Sequence, residues 1–495
     1  MNELAQISAK ALARPSSRPA IEFAGRWFSW GELRHVADRI STLLNDSGIP
    51  ADTAVTFVPR NRPSAIAALL SLIAQRRTVR MIYAFQSGAA MARDIERLDS
   101  AVVIGASEDF SEPVVSLLKA RGSVGVVLTE MEATLLTSPM LAKPVASLGI
   151  AAPAQIEILT SGTTGPPKQF AISYSLIAKH YIGNQTFSSN DEEKFLAAIP
   201  TLLFFPLGNI SGIYASLPIL LRGQRAVLLE RFSVAGWHDH LLHYRPEISG
   251  TPPAGIQMIL DADIPPADLS CIRRMGTGAA PLDPTVQRAF EERYGIPILL
   301  SYGATEFGGP VTAMTPELHS VWGQKKFGSV GRVIPGAQLR IIDPDSGAIL
   351  ANGKEGLLEV VSPRIGPDWI RTSDIAMIDE DGFMFHRGRA DGAIMRGGFK
   401  LLPEAIERAL LEHAAISAAA VIGIADHRLG QVPAAAIQFK PGVAPPSVAE
   451  LETHLRDRIY ATHVPAHWRF VDELPRTPTL KVDRPALKTL LDQAT

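Results

Sequence analysis

Ile156-Glu157-Ile158-Leu159-Thr160-Ser161-Gly162-Thr163-Thr164-Gly165-Pro166-Pro167-Lys168 is the stretch whose reading decides the fold. A short apolar run, readable as a strand, opens into a loop with two glycines, four hydroxyls and a lysine. Such a loop turns tightly, brings backbone N–H groups close to phosphate oxygens and adds hydroxyl donors plus one mobile positive charge. That is the chemistry of a phosphate clamp. It is not the usual nucleotide P-loop, which needs glycine immediately before the lysine and a hydroxyl immediately after it. Here Pro167 precedes Lys168 and Gln169 follows. On this segment alone, a plain surface loop is the competing reading.

Upstream of the loop, strand-like runs at 21–28, 54–58, 102–104 and 124–128 alternate with helical patterns at 30–44 and 64–75. The alternation points to α/β layers rather than a helical bundle. Arg76 and Arg77 follow the second helical pattern, where cations complement a helix C-terminus. Downstream, 174–181 reads as a helix, and the apolar run 197–205 leads through Pro206-Leu207-Gly208-Asn209-Ile210-Ser211-Gly212 into 213–221. The two glycines here either allow close approach of a substrate or only shape the start of a helix. His238, His240 and His243 have no metal-ligand spacing and read as exposed or packed residues.

A second constellation begins at Gly276-Thr277-Gly278-Ala279-Ala280-Pro281-Leu282, whose small residues let a flat ring or a carboxylate lie against backbone. The apolar run 298–301 then leads into Tyr302-Gly303-Ala304-Thr305-Glu306, read as a strand followed by a glycine turn. One short loop would thus carry a ring to stack on a base, a hydroxyl for phosphate and a carboxylate for magnesium. A third set, Trp369-Ile370-Arg371-Thr372-Ser373-Asp374, offers a carboxylate suited to a ribose diol, with a turn-capping aspartate as the alternative. Beyond a turn at Asp381-Gly382-Phe383, Arg389 suits ribose or phosphate oxygens, and Asp391 lies where a polar connector would act as a hinge.

The rest reads as a compact terminal domain, with strands at 393–395, 418–424 and 434–439, a turn at Gly397-Gly398, and helices at 403–412 and 447–460. Pro475-Arg476-Thr477-Pro478-Thr479-Leu480-Lys481-Val482-Asp483-Arg484 forms a rigid cationic loop. Lys481 would reach a negative reaction centre if this domain folded over the larger one; a solvated lysine is the alternative.

Bulk properties narrow the class. The chain has 495 residues, 46% hydrophobic and 20% charged, with a formal net charge of -2. That length corresponds to about three or four folding units. The charge balance disfavours a nucleic-acid partner bound through a broad basic face. Cys271 is the single cysteine, which excludes an intramolecular disulfide and a cysteine-rich metal site. Met1-Asn2-Glu3-Leu4 does not open a secretory pattern, and no apolar run reaches membrane-spanning length. A cytoplasmic enzyme without an integral membrane segment is expected.

Together, the 160–168 loop, Gly278-Ala279-Ala280-Pro281-Leu282, Tyr302-Gly303-Ala304-Thr305-Glu306, Arg371-Thr372-Ser373-Asp374, Gly388-Arg389-Ala390-Asp391, Pro403-Glu404-Ala405-Ile406-Glu407 and Lys481 with Arg484 resemble the adenylate-forming superfamily, especially the acyl-CoA synthetases. The resemblance implies an α/β fold: a large multi-subdomain N-terminal body, 1–388, followed by a smaller mobile α+β C-terminal domain, 389–495. It also implies activation of a carboxylic acid by ATP and magnesium with release of pyrophosphate, then acyl transfer to coenzyme A.

By the same resemblance, Thr160, Ser161, Gly162, Thr163, Thr164, Gly165 and Lys168 would cradle pyrophosphate. Gly278, Ala279, Ala280 and Gly303 would line the nucleotide site, and Tyr302 would pack on adenine. Thr305 would contact phosphate, Glu306 would coordinate magnesium, and Asp374 and Arg389 would hold ribose. Lys481 would bridge the acid and α-phosphate oxygens, stabilising charge rather than removing a proton. Rotation at Asp391 would withdraw it.

The chain departs from many relatives in having Leu480 where they have glycine, in lacking a proline-and-asparagine ending after Arg80-Met81-Ile82, and in lacking a histidine near Phe204. The acyl pocket would draw on Phe204, Phe205, Asn209, Ile210, Ser211, Gly278 and Trp322, a set that favours an apolar or aromatic acid over a highly charged one. An aryl or arylalkenoic acid and a medium or long aliphatic acid both stay open. So do a homodimer, transfer to a carrier-protein phosphopantetheine thiol or another acceptor, and a catalytically silent acyl- or nucleotide-binding protein.

Overall fold

The computed structural model describes residues 3–136, 154–160, 168–183, 194, 197–396, 399–426, 429–477 and 480–492. The chain divides into two compact units, Met1–Arg245 with Ala304–Gly309, and Pro246–Gly303 with Pro310–Thr495.

The first unit carries β1 (Pro19–Phe23), β2 (Arg26–Ser29), β3 (Val55–Phe57), β4 (Val79–Met81), β5 (Val102–Ala106), β6 (Val124–Leu128), β7 (Ala133–Leu135), β8 (Gln155–Thr160), β9 (Lys168–Ser173), β10 (Thr201–Leu203) and β11 (Ala226–Leu228). A seven-stranded sheet runs β7-β6-β5-β3-β4-β8-β9, and a four-stranded sheet runs β10-β11-β1-β2. In the larger sheet β3 to β6 and β8 pair in parallel, while β7 and β9 close the edges antiparallel. Parallel neighbours need crossovers. The helices Pro63–Ala74, Gly88–Arg97 and Glu112–Arg121 supply them.

Every residue of β5 and β6 is buried, which is why both read as unbroken apolar runs. The helix Trp30–Asp46 starts on a capping box, in which the Ser29 hydroxyl accepts from the Glu32 N–H and the Glu32 carboxylate accepts from the Ser29 N–H. It buries Trp30, Leu33, Val36, Ala37, Ile40, Leu43 and Leu44, the spacing of one helical face. Arg77 is buried and donates to the Pro50 carbonyl at 2.8 Å, and His240 meets the Pro200 carbonyl at 2.9 Å, so both are packing residues.

The second unit carries β12 (Ile248–Gly250), β13 (Arg274–Thr277), β14 (Ile298–Ala304), β15 (Gly309–Ala313), β16 (Arg332–Val333), β17 (Gln338–Ile342), β18 (Glu355–Val361), β19 (Ile370–Ile378), β20 (Met384–Arg389), β21 (Ile394–Arg396), β22 (Phe399–Leu401), β23 (Ile416–Asp426), β24 (Gly430–Phe439) and β25 (His467–Val471). β12 to β16 form a sheet in chain order, with β12, β13 and β14 parallel. β17 to β20 form an antiparallel meander. The remaining strands form a sheet on which Ile394, Leu401, Ile406, Leu410, Leu451 and Leu455 pack as one core. The mixed α/β class expected from the strand and helix alternation is borne out.

Two expectations are corrected. Tyr302 and Gly303 do not lie in a glycine turn: β14 sits between β13 and β15 and stays extended to Ala304, so the bend comes at Thr305–Phe307. The helix read over 447–460 is Val448–Arg456, capped by Ser447 and Glu450. Between Leu455 and Tyr460 only Ile459 packs on the core, and Tyr460 is exposed. Ser161, Gly162, Thr163, Thr164, Gly165, Gly397, Gly398, Pro478 and Thr479 lie outside the described residues. Among the described residues no helix is long and apolar enough to cross a membrane.

Candidate active site

β13 and β14 run parallel, so the carboxyl ends of both strands lie side by side. Crevices outside such ends are where open α/β sheets bind ligands. Gly278 follows β13 directly, and a β-carbon on it would stand 2.5 Å from the Ser301 hydroxyl and 2.9 Å from the Ser301 carbonyl oxygen. Close approach of the two strand ends therefore fixes glycine at this position. Ala279 follows in a left-handed conformation, φ +68°, and is exposed beside half-buried Ala280.

From β14, Tyr302 donates its hydroxyl proton to Asp374 Oδ2 at 2.5 Å. Asp374 lies on β19, in register with Arg389 on β20. His386, two residues along β20 from Gly388, places Nε2 3.4 Å from Asp374 Oδ1 and stacks its ring on Tyr302 with centroids 5.8 Å apart. The Thr372 hydroxyl accepts from the Asp374 N–H at 2.9 Å and donates to the Leu358 carbonyl at 2.8 Å, which steadies the strand beneath the carboxylate. Burial pushes the Asp374 pKa up, but bonds from His386 and Tyr302 and the charge of Arg389 outweigh it, so the carboxyl is held below its ordinary value. An ionised carboxylate has about four acceptor sites. Tyr302 and His386 address one on each oxygen, which leaves capacity for a diol.

Arg389 is clamped by Asp391. Its Nε donates to Asp391 Oδ1 at 2.9 Å and its Nη2 to Asp391 Oδ2 at 2.6 Å, while Nη2 also reaches the Ser373 hydroxyl at 2.6 Å. This forked, charge-assisted bond to Asp391 is the main cause that raises the guanidinium pKa. Gly388 has φ +143°, and a β-carbon there would lie 2.6 Å from Glu404 Oε2. Tyr302, Asp374 and Arg389 are thus brought into one group, with His386, Ser373 and Asp391 as members that no motif had singled out as binding residues.

After β14 the chain bends through Thr305–Phe307, with the Gly308 N–H donating to the Thr305 carbonyl at 3.0 Å. Phe307 is buried and Glu306 is exposed. The Tyr181 hydroxyl donates to the Gly308 carbonyl at 2.7 Å and anchors the bend. Magnesium that comes with substrate phosphates takes one or two protein carboxylates rather than a cage. An exposed Glu306 fits that donor pattern, and among the described residues no group of three or more His, Cys, Asp or Glu side chains assembles elsewhere.

Thr160 and Lys168 face each other as the last pair between β8 and β9, so both ends of the phosphate-loop motif are set by strands. Phe204 and Phe205 pack with their rings tilted at 40° and centroids 4.5 Å apart, and Phe232 meets Phe204 edge-on at 5.4 Å. Asn61, which sequence reasoning passed over, is buried and ties this bend together: it donates to the carbonyls of Phe205 and Leu229 and accepts from the Leu207 N–H. A lone asparagine between two arginines carried no signal of it. Asn209 occupies the N-cap of the helix Ile210–Arg222 without a side-chain capping bond; Ile210 is buried and Ser211 half-buried. A β-carbon on Gly212 would run into the Pro206 carbonyl, so that glycine serves the chain's own bend. Trp322, in the second unit, packs on Phe383 at 5.5 Å with Lys325, Lys326 and Arg332 around its ring.

Lys481 is exposed on a loop closed by its own backbone. The Thr477 N–H donates to the Lys481 carbonyl at 2.7 Å, the Leu480 N–H to the Thr477 carbonyl at 2.8 Å and the Asp483 N–H to the Pro475 carbonyl at 2.9 Å.

The model of the AMP-binding enzyme family matches residues 8–367. The chain belongs to that family. The model of the AMP-binding enzyme C-terminal domain matches residues 405–481. This AMP-binding enzyme is similar to a 2-succinylbenzoate–CoA ligase of Bacillus pumilus, 30% identical over 67% of the chain and 68% of the relative. It is also similar to an indoleacetate–CoA ligase of Aromatoleum aromaticum, 26% identical over 97% of the chain and 96% of the relative. Among solved structures it resembles ATP-bound MatB from Rhodopseudomonas palustris, with a TM-score of 0.79 and 21% identity over 99% of this chain and 100% of that one. An anthranilate CoA ligase in complex with anthranoyl-AMP gives a TM-score of 0.77 and 20% identity over 99% and 97%. At these identities the structures speak for the fold alone. The resemblance to adenylate-forming enzymes and the layout of an AMP-binding N-terminal domain with a small C-terminal domain are both borne out.

Proposed function

We propose that this AMP-binding enzyme is an AMP-forming carboxylic acid–CoA ligase. One observation carries the reading: Tyr302, near the carboxyl end of a strand in the parallel run, donates to Asp374, whose neighbour in strand register is Arg389, so a ring, a carboxylate and a cation come together. That set matches an adenosine monophosphate moiety, with the Tyr302 ring on adenine and with Asp374 and Arg389 on ribose. The names of the curated relatives, which are CoA ligases, support the same activity.

In the first step a carboxylate oxygen of the acid bonds to the α-phosphorus of ATP, and the bond to the bridging oxygen breaks in line, releasing pyrophosphate. The 160–168 loop would receive pyrophosphate, Thr305 would donate to phosphate, and Lys481 would neutralise charge on the acid and α-phosphate oxygens. Glu306 would hold magnesium, which when bound would supply positive charge to offset that of the leaving group. In the second step the coenzyme A sulfur bonds to the acyl carbon, AMP leaves and the thiol proton passes to solvent. Adenylation is needed because a free carboxylate has no good leaving group. Water must be kept from the adenylate, which favours a domain movement between steps. We place the domain boundary between 388 and 389, with Asp391 at the hinge.

For the acid we propose an aromatic one. The Phe204–Phe205–Phe232 cluster supports it, as do the substrates in the relatives' names, 2-succinylbenzoate and indoleacetate. Incubation with ATP, magnesium, coenzyme A and a panel of aryl and aliphatic acids tests both parts. AMP and an aryl-CoA thioester are expected. Thioester from aliphatic acids alone would overturn the substrate class, and nucleotide binding without any turnover would leave a silent binder.

A further inference from the structure

Leu480 has φ +61°, in the left-handed region. For a branched aliphatic residue this is a genuine outlier, since its β-carbon crowds the following carbonyl oxygen. Several other non-glycine residues with positive φ, among them Arg76, Asp99, Arg245 and Asp263, lie one or two residues past helix ends, where such a turn is ordinary. Leu480 instead directly precedes Lys481.

Something must hold that turn. The Arg476 guanidinium donates from Nη1 to the Leu480 carbonyl at 3.0 Å, and the Thr477 N–H donates to the Lys481 carbonyl at 2.7 Å. Arg476 and Val482 also form an antiparallel bridge across the loop. These two bonds act on the two peptide planes that flank the Lys481 Cα. A peptide plane is rigid, so fixing both planes fixes φ and ψ of the lysine and the direction in which its side chain leaves the backbone. The bond from a charged donor is the stronger kind. It falls on the plane next to the strained residue.

We propose that Arg476 is a positioning residue for adenylation: it holds Leu480 in its left-handed turn and thereby aims Lys481. The proposal rests on Lys481 being the group that meets the α-phosphate. Arg476 itself touches no reacting atom. Its removal would let the 480–481 peptide rotate, which costs turnover in the half-reaction that uses Lys481 and leaves substrate affinity in place.

The test uses the full chain with Arg476→Gln, Arg476→Lys, Leu480→Gly and the Arg476→Gln/Leu480→Gly double variant. It reads acid-dependent pyrophosphate exchange and thioester formation from supplied acyl-adenylate, with thermal unfolding as a fold control. We expect Arg476→Gln to lower kcat for exchange by about ten-fold or more, with KM for ATP and thioester formation within about two-fold. Arg476→Lys should recover part of the loss. Leu480→Gly should cost exchange far less than Arg476→Gln, because glycine takes the left-handed turn without strain, and the double variant should recover part of the Arg476→Gln loss, because the turn then no longer needs the guanidinium to hold it. Unchanged exchange in Arg476→Gln, or equal loss in both half-reactions with the fold intact, would overturn the proposal. If Arg476→Gln does not fold, Arg476→Lys decides alone: exchange lowered with thioester formation kept supports the proposal, and unchanged exchange overturns it. Lys481→Ala separates the two levels. Exchange that survives Lys481→Ala refutes the role of the lysine, whereas exchange lost in Lys481→Ala but kept in Arg476→Gln refutes only the role of Arg476.

Discussion

Asp374 stands on a strand, between a tyrosine hydroxyl and a histidine ring, in register with the arginine it is to work beside. Lys481 stands on a loop, past a leucine bent into the left-handed region, with the bonds that close the loop made largely by backbone. Both are single charged groups held in place, but the first is held by side chains around it and the second by the peptide planes beneath it. A group pinned by side chains keeps its setting throughout a catalytic cycle, which suits a nucleotide that stays bound over two steps. A lysine aimed by its own loop can be carried in and out as a unit, which suits a charge needed in only one step. Substitutions in the first region should therefore show in nucleotide affinity, and those in the second in the rate of one half-reaction.

The largest effect is expected from Lys481→Ala. Pyrophosphate exchange should fall by about 10²- to 10³-fold, the range for losing one donor to developing charge, and thioester formation from supplied acyl-adenylate should fall far less. Equal loss in both half-reactions would erase the contrast. Asp374→Ala comes next. It strips the Tyr302 hydroxyl and the His386 ring of a partner, so KM for ATP should rise by roughly ten- to a hundred-fold, and isothermal titration with AMP should show the same loss. A change confined to kcat would contradict a ribose-holding carboxylate.

Asp391→Pro should slow the overall reaction by about ten-fold by stiffening the connector, and, because it also removes the carboxylate that clamps Arg389, KM for ATP should rise beside it. Unchanged overall turnover would count against a hinge there. The smallest effect on activity, and one on stability instead, belongs to Glu407. Desolvation of its carboxyl, with Glu404 adding and the Val421 N–H and Arg484 opposing, pushes its pKa up to about 7. An unfolded glutamate titrates near 4.3. Its contribution to stability is thus complete below about pH 4 and is lost as pH rises toward 7. Because the residue is only half-buried, Glu407→Gln should raise stability at pH 8 by no more than about 1–2 kcal/mol and do nothing at pH 4. Urea unfolding at the two pH values checks the sign, and a loss at pH 8 would refute it.

Much of the framework was legible because burial writes itself into sequence. β6 occupies 124–128 as read, since a parallel strand covered on both faces is apolar throughout. Helix starts were legible where caps are local, as at Ser29 with Glu32 and at Pro403. Elsewhere a correct local signal was overridden by context. Gly303 reads as a turn, yet neighbouring strands keep it extended.

In the site, Tyr302, Asp374 and Arg389 were legible from motifs, and the structure adds that they touch or face one another. Asn61 and His386 were not legible, because each acts through register or a long-range contact that no spacing encodes. Leu480 was visible as an oddity of residue type. Only its φ explains why Arg476 beside it matters.

The most direct test of adenylation is exchange of labelled pyrophosphate into ATP by the unaltered protein, with magnesium, an aryl acid and no coenzyme A. Exchange that depends on the acid is the expected result, because it reports a reversible acyl-adenylate and nothing later. Tight, saturable ATP binding without exchange across a broad panel of acids would contradict it.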